Sequence, residues 1–176
     1  MVKFHNFREL RDYLEKKGHV FKTRSDTEVI VHLYEEQGEA CFRSLRGMFA
    51  LAIWDRPNRS VILARDRVGK SLSYSFDGAR LAFSSEMKAL LAMPPIKREI
   101  DLEALSITSP LYVPAPKSIF QSIKKVRPGH YLVVSPKVFA SVSIGISISH
   151  TQRRSGRSSN GVIQIVPVLG RPFNSD

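Results

Sequence analysis

The sequence is poor in cysteine, and Cys41 is the single one among its 176 residues. A disulfide needs two cysteines, so none can form within the chain, which suits a reducing compartment. No apolar run approaches the ~18 residues that a membrane helix needs. The first residues, MVKFHNFRE, lack the apolar stretch of a secretory signal. These absences predict a cytoplasmic protein with no membrane partner.

Acidic residues are almost missing from the last part of the chain. Residues 1–103 carry 18 basic and 15 acidic side chains, a net charge of +3, whereas residues 104–176 carry 9 basic side chains and one acid. A basic segment can bind nucleic acid. Aromatic side chains that stack on bases are scarce there, however, since Phe139 and Phe173 are the only ones after Tyr131. The composition therefore disfavours nucleic acid as a partner.

A phosphate-binding loop is also lacking, although residues 64–71, ARDRVGKS, end as such a loop ends. The motif needs a glycine where this sequence has Ala64, and it must open a helix whose backbone N–H groups hold the phosphates. The residues that follow are two short alternating runs, 72–76 and 80–83, around Asp77-Gly78. This pattern predicts a β-hairpin.

Apolar residues at helical spacing predict a helix at 7–17 and a second one that begins at Ser25 and ends at Gly38. The second has the capping-box pattern, in which the Ser25 hydroxyl bonds the N3 amide and Glu28 reaches back to the amide of the N-cap. Three shorter helices are predicted at 40–45, 85–91 and 102–105, the last of them capped by Asp101.

Two apolar runs, 48–55 and 60–66, predict strands of a hairpin that is buried on both faces. Residues 131–134 predict one more strand. Residues 141–149 alternate serine with apolar residues, which is typical of a strand, but no partner strand is evident and aggregation is a risk. Residues 151–160 are polar and basic, which predicts disorder.

Five motifs carry a resemblance to a known family: RSDTEV, GMFALAIWD, ARDRVGK, SSEMKALL and VPAPKSIFQSIKKVRPGHYL. In this order and spacing they resemble the glutaminase domain of glutamine-dependent asparagine synthetases, from about Asn6 to Val134. The last motif separates that family from the glutaminase domains of glucosamine-phosphate synthase and phosphoribosyl-pyrophosphate amidotransferase.

The resemblance implies an α+β fold, an N-terminal nucleophile hydrolase-like αββα sandwich of antiparallel sheets, here incomplete. It implies glutamine as the substrate, hydrolysed to glutamate and ammonia by an N-terminal cysteine. In the family, a second domain uses ATP and magnesium to activate aspartate, which the ammonia converts to asparagine.

The resemblance also divides the chain at residue 134. Residues 1–134 are expected to form a partial class II glutamine amidotransferase domain without its first strands. Residues 135–176 are expected to be a basic, serine-rich tail, disordered or translated out of frame. The synthetase domain is expected to be absent, because its Ser-Gly-Gly-Val-Asp-Ser signature appears nowhere in the sequence. Cofactors are therefore expected to be none in this chain, with ATP and magnesium belonging to the missing domain.

Several residues of the family's site are replaced. Residues 1 and 2 are Met and Val, so neither supplies a nucleophile. The family's oxyanion and substrate stretch, NGEIYN, falls on residues 1–6, where only Asn6 is retained and Lys3 replaces an acid. One residue after Gly69 is missing relative to the family's pattern, which predicts local destabilisation. No catalytic residue is therefore predicted, and Asn6 is a weak substrate-binding candidate.

One further site residue follows from the resemblance: Asp26 matches the aspartate that binds the glutamine α-amine. Taken alone, Asp26 is an acid in the first turn of a helix, where the helix dipole favours it. Cys41 stands among apolar residues and is interpreted as a buried side chain. The five histidines show no short metal-ligand spacing and are interpreted as solvated or core residues. Residues 65–67 predict a buried ionic cluster that orients the hairpin.

Three hypotheses follow. The first is a fragment of an asparagine synthetase without activity of its own. The second is a subunit of a split amidotransferase, in which a partner chain provides the cysteine. The third is a basic module that binds nucleic acid through residues 104–176. Missing first strands also predict self-association through unpaired sheet edges.

Overall fold

The computed structural model describes residues 2–68, 71–106, 112–145 and 163–166. In these residues, short helices accompany two antiparallel sheets. The helices are α1 (Phe7–Lys16), α2 (Asp26–Gln37), α3 (Met87–Leu91) and α4 (Leu102–Ser106), with a 3₁₀ helix at Gly38–Arg43. The strands are β1 (Val2–Phe4), β2 (Gly47–Asp55), β3 (Ser60–Arg65), β4 (Ser73–Phe76), β5 (Leu81–Ser84), β6 (Lys124–Lys125), β7 (His130–Ser135), β8 (Val138–Ser143) and β9 (Ile163–Val166).

The larger sheet has the strand order β1-β2-β3-β7-β8, and its central strands are buried on both faces, as the sequence predicts. On one face, alternate residues of β2 and β3 pack against α1, α2 and the 3₁₀ helix; they include Phe49, Leu51, Ile53, Ile62 and Ala64. On the other face, the intervening residues pack against the smaller sheet, β5-β4-β6, and include Ala50, Ala52 and Leu63. Helix α3 contacts β4 and β5, so the layers are helix, sheet, sheet and helix.

The hairpin predicted downstream of ARDRVGKS is confirmed, because β4 pairs with β5 from Ser73↔Ser84 to Phe76↔Leu81. The first element described after the Gly-Lys-Ser is strand β4, so the motif does not lead into a helix. The predicted loss of one residue falls after Gly69, and positions 69 and 70 lie outside the described residues.

The capping of α2 departs from the prediction. Ser25 accepts a hydrogen bond from the amide of Thr27, so it caps the helix. Glu28 does not reach back to the Ser25 amide, which donates to the Thr23 hydroxyl instead. The Glu28 carboxylate accepts bonds from the amides of Lys22 and Thr23 and from the Thr23 hydroxyl. Partial burial acts to raise the pKa of Glu28, but these donors outweigh it and lower the pKa to about 2.

The serine-rich alternating segment acquires a partner that the sequence did not reveal. Strand β8 pairs with β7 from Ser135↔Val138 to His130↔Ser143, so the prediction of no partner strand is wrong for its first residues. The strand ends at Ser143, and positions 146–150 lie outside the described residues, as does the stretch 151–160 that was predicted to be disordered. The division of the chain at residue 134 stays a prediction.

Strand β9 lies on the outer edge of β2, in line with β1. Phe49 pairs with Val2 of β1, and Ala52 to Asp55 pair antiparallel with Val166 to Ile163 of β9. A segment that is distant in sequence therefore pairs with the part of this edge that β1 does not cover. Self-association through the remaining edges stays a prediction.

Among the described residues, the helices are too short and too polar to cross a bilayer.

Candidate functional site

A cavity of about 530 Å³ opens where the start of β2, the loop after β3 and two turns meet. Its walls include His5, Gly47, Met48, Asp66, Arg67 and Gly129. Backbone hydrogen bonds join these segments: the amide of Asp66 donates to the carbonyl of Phe49, and the amide of Gly129 donates to that of Asp66. A side chain at Gly129 would meet Cγ of Arg67 at 3.1 Å, and its φ is 68°, so glycine is required there.

Asp66 shapes this cavity through backbone contacts. Its carboxylate accepts bonds from the amides of Phe49, at 2.8 Å, and of Val68, at 3.0 Å. Arg65 donates to the carbonyl of Val126, and Arg67 is exposed. The buried ionic cluster predicted for residues 65–67 is therefore wrong for Arg67, which is exposed, and stays a prediction for Arg65 and Asp66.

Neither of the two residues predicted to bind substrate lines the cavity, although His5, the neighbour of Asn6, does. Asn6 is 9% exposed and binds the segment before β2, donating to the carbonyl of Ser44 and accepting from the amide of Arg46. Asp26 is the first residue of α2 and is half-buried, with the Thr27 hydroxyl 3.4 Å from its carboxylate. The described contacts do not join Asn6 to Asp26, and their roles toward glutamine stay predictions.

Cys41 is fully buried, as its apolar neighbours predicted. It lies in the 3₁₀ helix and belongs to the core cluster between the helices and the larger sheet, with Ile30, Leu33 and Phe42. Burial raises the pKa of the Cys41 thiol, and the negative charge of Glu39 raises it further. Because the thiolate is the nucleophilic form of cysteine, this environment makes Cys41 unreactive.

Two histidines that the sequence separates lie side by side in the structure. His19 follows α1 and His32 is on α2, and their Nδ1 atoms are 3.2 Å apart. A carboxylate oxygen of Glu35 and one ring nitrogen of each histidine all lie within 4.8 Å of one another. The interpretation of the histidines as solvated or core residues missed this pair. A usable signal was present, because Glu28, His32 and Glu35 share one face of a helix at spacings of four and three.

Comparison with known proteins identifies a family and several similar proteins. Residues 3–142 match the family model described as a glutamine amidotransferase domain. The chain belongs to this family of glutamine amidotransferase domains. The glutamine-hydrolysing asparagine synthetase 3 of Bacillus subtilis is 42% identical over 135 residues, which are 74% of this chain and 22% of that protein. Asparagine synthetase 3 of Arabidopsis thaliana is 46% identical over 89 residues, or 49% of this chain and 15% of that protein.

The chain thus matches only 22% and 15% of the length of these two curated relatives. Among solved structures, the glutamine phosphoribosylpyrophosphate amidotransferase of B. subtilis superposes with a TM-score of 0.52 at 22% identity, over 82% of this chain and 28% of that one. This likeness confirms the predicted fold class, the αββα sandwich of N-terminal nucleophile hydrolases. The predicted resemblance to asparagine synthetases is also confirmed.

Proposed function

We propose that this chain is the scaffold of a glutaminase domain of asparagine-synthetase type that does not hydrolyse glutamine on its own. The observation that carries the proposal is the position of Cys41, the single cysteine of the sequence. Its thiol lies in the apolar core, and Cys41 does not line the cavity described above, although the next residues, Phe42 and Arg43, do.

Glutamine hydrolysis needs a thiolate that attacks the amide carbonyl, a group that takes and returns its proton, and donors for the oxyanion. Among the described residues that line the cavity, the one that contains sulfur is Met48, a thioether with no proton to lose. The Asp66 carboxylate accepts bonds from two backbone amides, which suits a structural role. The described residues that line the cavity thus form a pocket that contains no thiol nucleophile.

The remaining parts of the family's reaction belong to the proposal as well. Glutamine is the proposed substrate of the complete enzyme, and Asp26 is retained as a first-turn acid of α2 in this chain. ATP and magnesium are proposed for a synthetase domain whose signature this sequence does not contain, and the compartment is proposed to be the cytoplasm.

Ammonia release from glutamine tests the proposal. We expect the purified chain to release no more ammonia than a buffer blank, because its thiol is inaccessible and protonated. The matched control is Cys41→Ser, which should give the same baseline, and prior alkylation of the protein should change nothing. Turnover that is lost in Cys41→Ser would overturn the proposal.

A split amidotransferase is the second candidate, and strand β9 is the observation that favours it. The outer edge of β2 accepts a strand that is distant in sequence, so it is competent to accept one from another chain. Such a strand would compete with β9 for the backbone groups of Ala52 to Asp55. In the same assay, a cysteine-led peptide with the sequence of the family's first strand should then restore ammonia release.

A further inference from the structure

The side chains of His19, His32 and Glu35 form a cluster at the junction of α1 and α2. The chain turns at Gly18, with φ at 92°, and brings the His19 ring against the His32 ring at a centroid distance of 4.9 Å. Glu35 lies one turn after His32 on α2. The cluster is separate from the cavity and from Cys41, so its argument is independent of the proposed function.

The three candidate ligand atoms form a triangle of the right size for a transition metal ion. His19 Nδ1 lies 3.2 Å from His32 Nδ1, which lies 3.0 Å from Glu35 Oε2, and the third side is 3.8 Å. The centre of such a triangle is about 2.0 Å from each corner, which is the Zn–N and Zn–O distance of zinc proteins. The separations of the three atoms therefore match the ligand spacing around one ion.

A carboxylate lies beside the outer nitrogen of each ring. Glu36 Oε1 is 3.1 Å from His19 Nε2, and Glu28 Oε1 is 3.7 Å from His32 Nε2. Lys17 donates a hydrogen bond to Glu36 Oε2 at 2.8 Å, which holds that carboxylate beside His19. A carboxylate that accepts a hydrogen bond from Nε2 leaves Nδ1 of the same ring available to a metal, and Glu36 is placed to do this for His19. This is the arrangement that orients histidines toward metals in known sites.

A metal ion or a proton between the three candidate ligand atoms accounts for their separations of 3.2 and 3.0 Å. His32 Nε2 is, in addition, a buried nitrogen without a hydrogen-bond partner among the described residues. The side chains of His19 and His32 are 16% and 17% exposed, whereas Glu35 is 38% exposed and leaves a path from solvent.

We propose that His19, His32 and Glu35 bind one divalent transition metal ion, of which Zn²⁺ fits the two imidazoles and one carboxylate best. Three protein ligands leave a fourth position for water. The ion would tie the segment after α1 to α2, so its binding stabilises the folded chain by mass action.

Titration of the chelator-stripped, full-length chain with ZnCl₂ in a calorimeter tests this site. We expect one Zn²⁺ per chain and a higher Tm in zinc. His19→Gln and His32→Gln should each weaken binding by more than about 100-fold, the upper range for loss of an outer partner, and Glu36→Gln by about 10–100-fold. The matched control is His130→Gln, because His130 lies outside the cluster and is bonded to the carbonyl of Pro128. Its affinity should equal that of the unmodified chain.

A second measurement covers the event that a histidine variant fails to fold. Glu35→Gln changes an exposed side chain and should weaken binding while leaving the circular dichroism spectrum unchanged. In long-range ¹H–¹⁵N spectra, zinc should shift the Nδ1 signals of His19 and His32 and leave that of His130 in place. Absence of saturable binding, or equal losses in His19→Gln and His130→Gln, would refute the site. Unshifted His19 and His32 signals would refute it too, and would assign the short distance between the two Nδ1 atoms to a proton that the rings share.

Discussion

Replacing Phe42 by alanine should lower the free energy of unfolding by about 3–5 kcal/mol, the largest effect that we expect from a single substitution in this chain. Phe42 is 1% exposed and lies in the core between the helices and the larger sheet. Its ring is 5.3 Å from that of Tyr131 on β7. Alanine would enlarge the cavity that Phe42 lines at the point where the 3₁₀ helix meets the sheet, and would remove the contacts that its ring makes with the core. Urea denaturation followed by circular dichroism measures the loss.

The matched control is Phe139→Ala on β8, because Phe139 is 48% exposed. Its ring stacks on that of Phe76 at 4.9 Å, so we expect a cost of about 1 kcal/mol. Equal losses for the two variants would show that the 3₁₀ helix does not pack against the sheet as described.

Replacing Asp55 by alanine should cost about 3 kcal/mol, the next largest effect. Asp55 ends β2 and is 3% exposed, and it lies in the GMFALAIWD motif. The Tyr34 hydroxyl of α2 donates to its carboxylate at 2.8 Å, and both the amide and the side chain of Asn58 donate to it as well. The substitution would remove the acceptor of these bonds inside the core, where water replaces it poorly.

Tyr34→Phe provides the partner of this experiment, since it removes the hydroxyl alone and leaves the donors of Asn58 in place. We expect it to cost about 1.5 kcal/mol, because the lost bond joins a hydroxyl to a charged group. The double variant should cost less than the sum of the two, with a coupling of about 1–2 kcal/mol. Strict additivity in urea denaturation would contradict the contact between α2 and the end of β2.

Local patterns predict the helices and hairpins well, because their information lies within a few residues. The apolar spacing of 7–17 gives α1, and the two apolar runs give β2 and β3 with both faces buried. Pairing between distant segments follows no local rule. The partner of β8 and the position of β9 beside β2 depend on which edges the assembled sheet leaves open, and the sequence does not encode that in any short window.

In the candidate site, too, local features can be predicted from the sequence and contacts between distant segments cannot. The burial of Cys41 follows from its apolar neighbours, whereas the meeting of His19 with His32 depends on the turn at Gly18 and the packing of α1 on α2. Asp66 illustrates a third limit: its carboxylate accepts hydrogen bonds from amides of β2 and of the loop after β3, which only the fold brings together.

The central claim is that the single cysteine, Cys41, has a structural role. The most direct test is the rate at which Cys41 reacts with a thiol reagent. In native buffer, we expect alkylation to be slower than in denaturant by on the order of 10³-fold or more, because the thiol reacts only when the core opens. Glutamine should not change the native rate. Reaction at the denatured rate in the folded protein, with protection by glutamine, would contradict the account and identify Cys41 as a site residue.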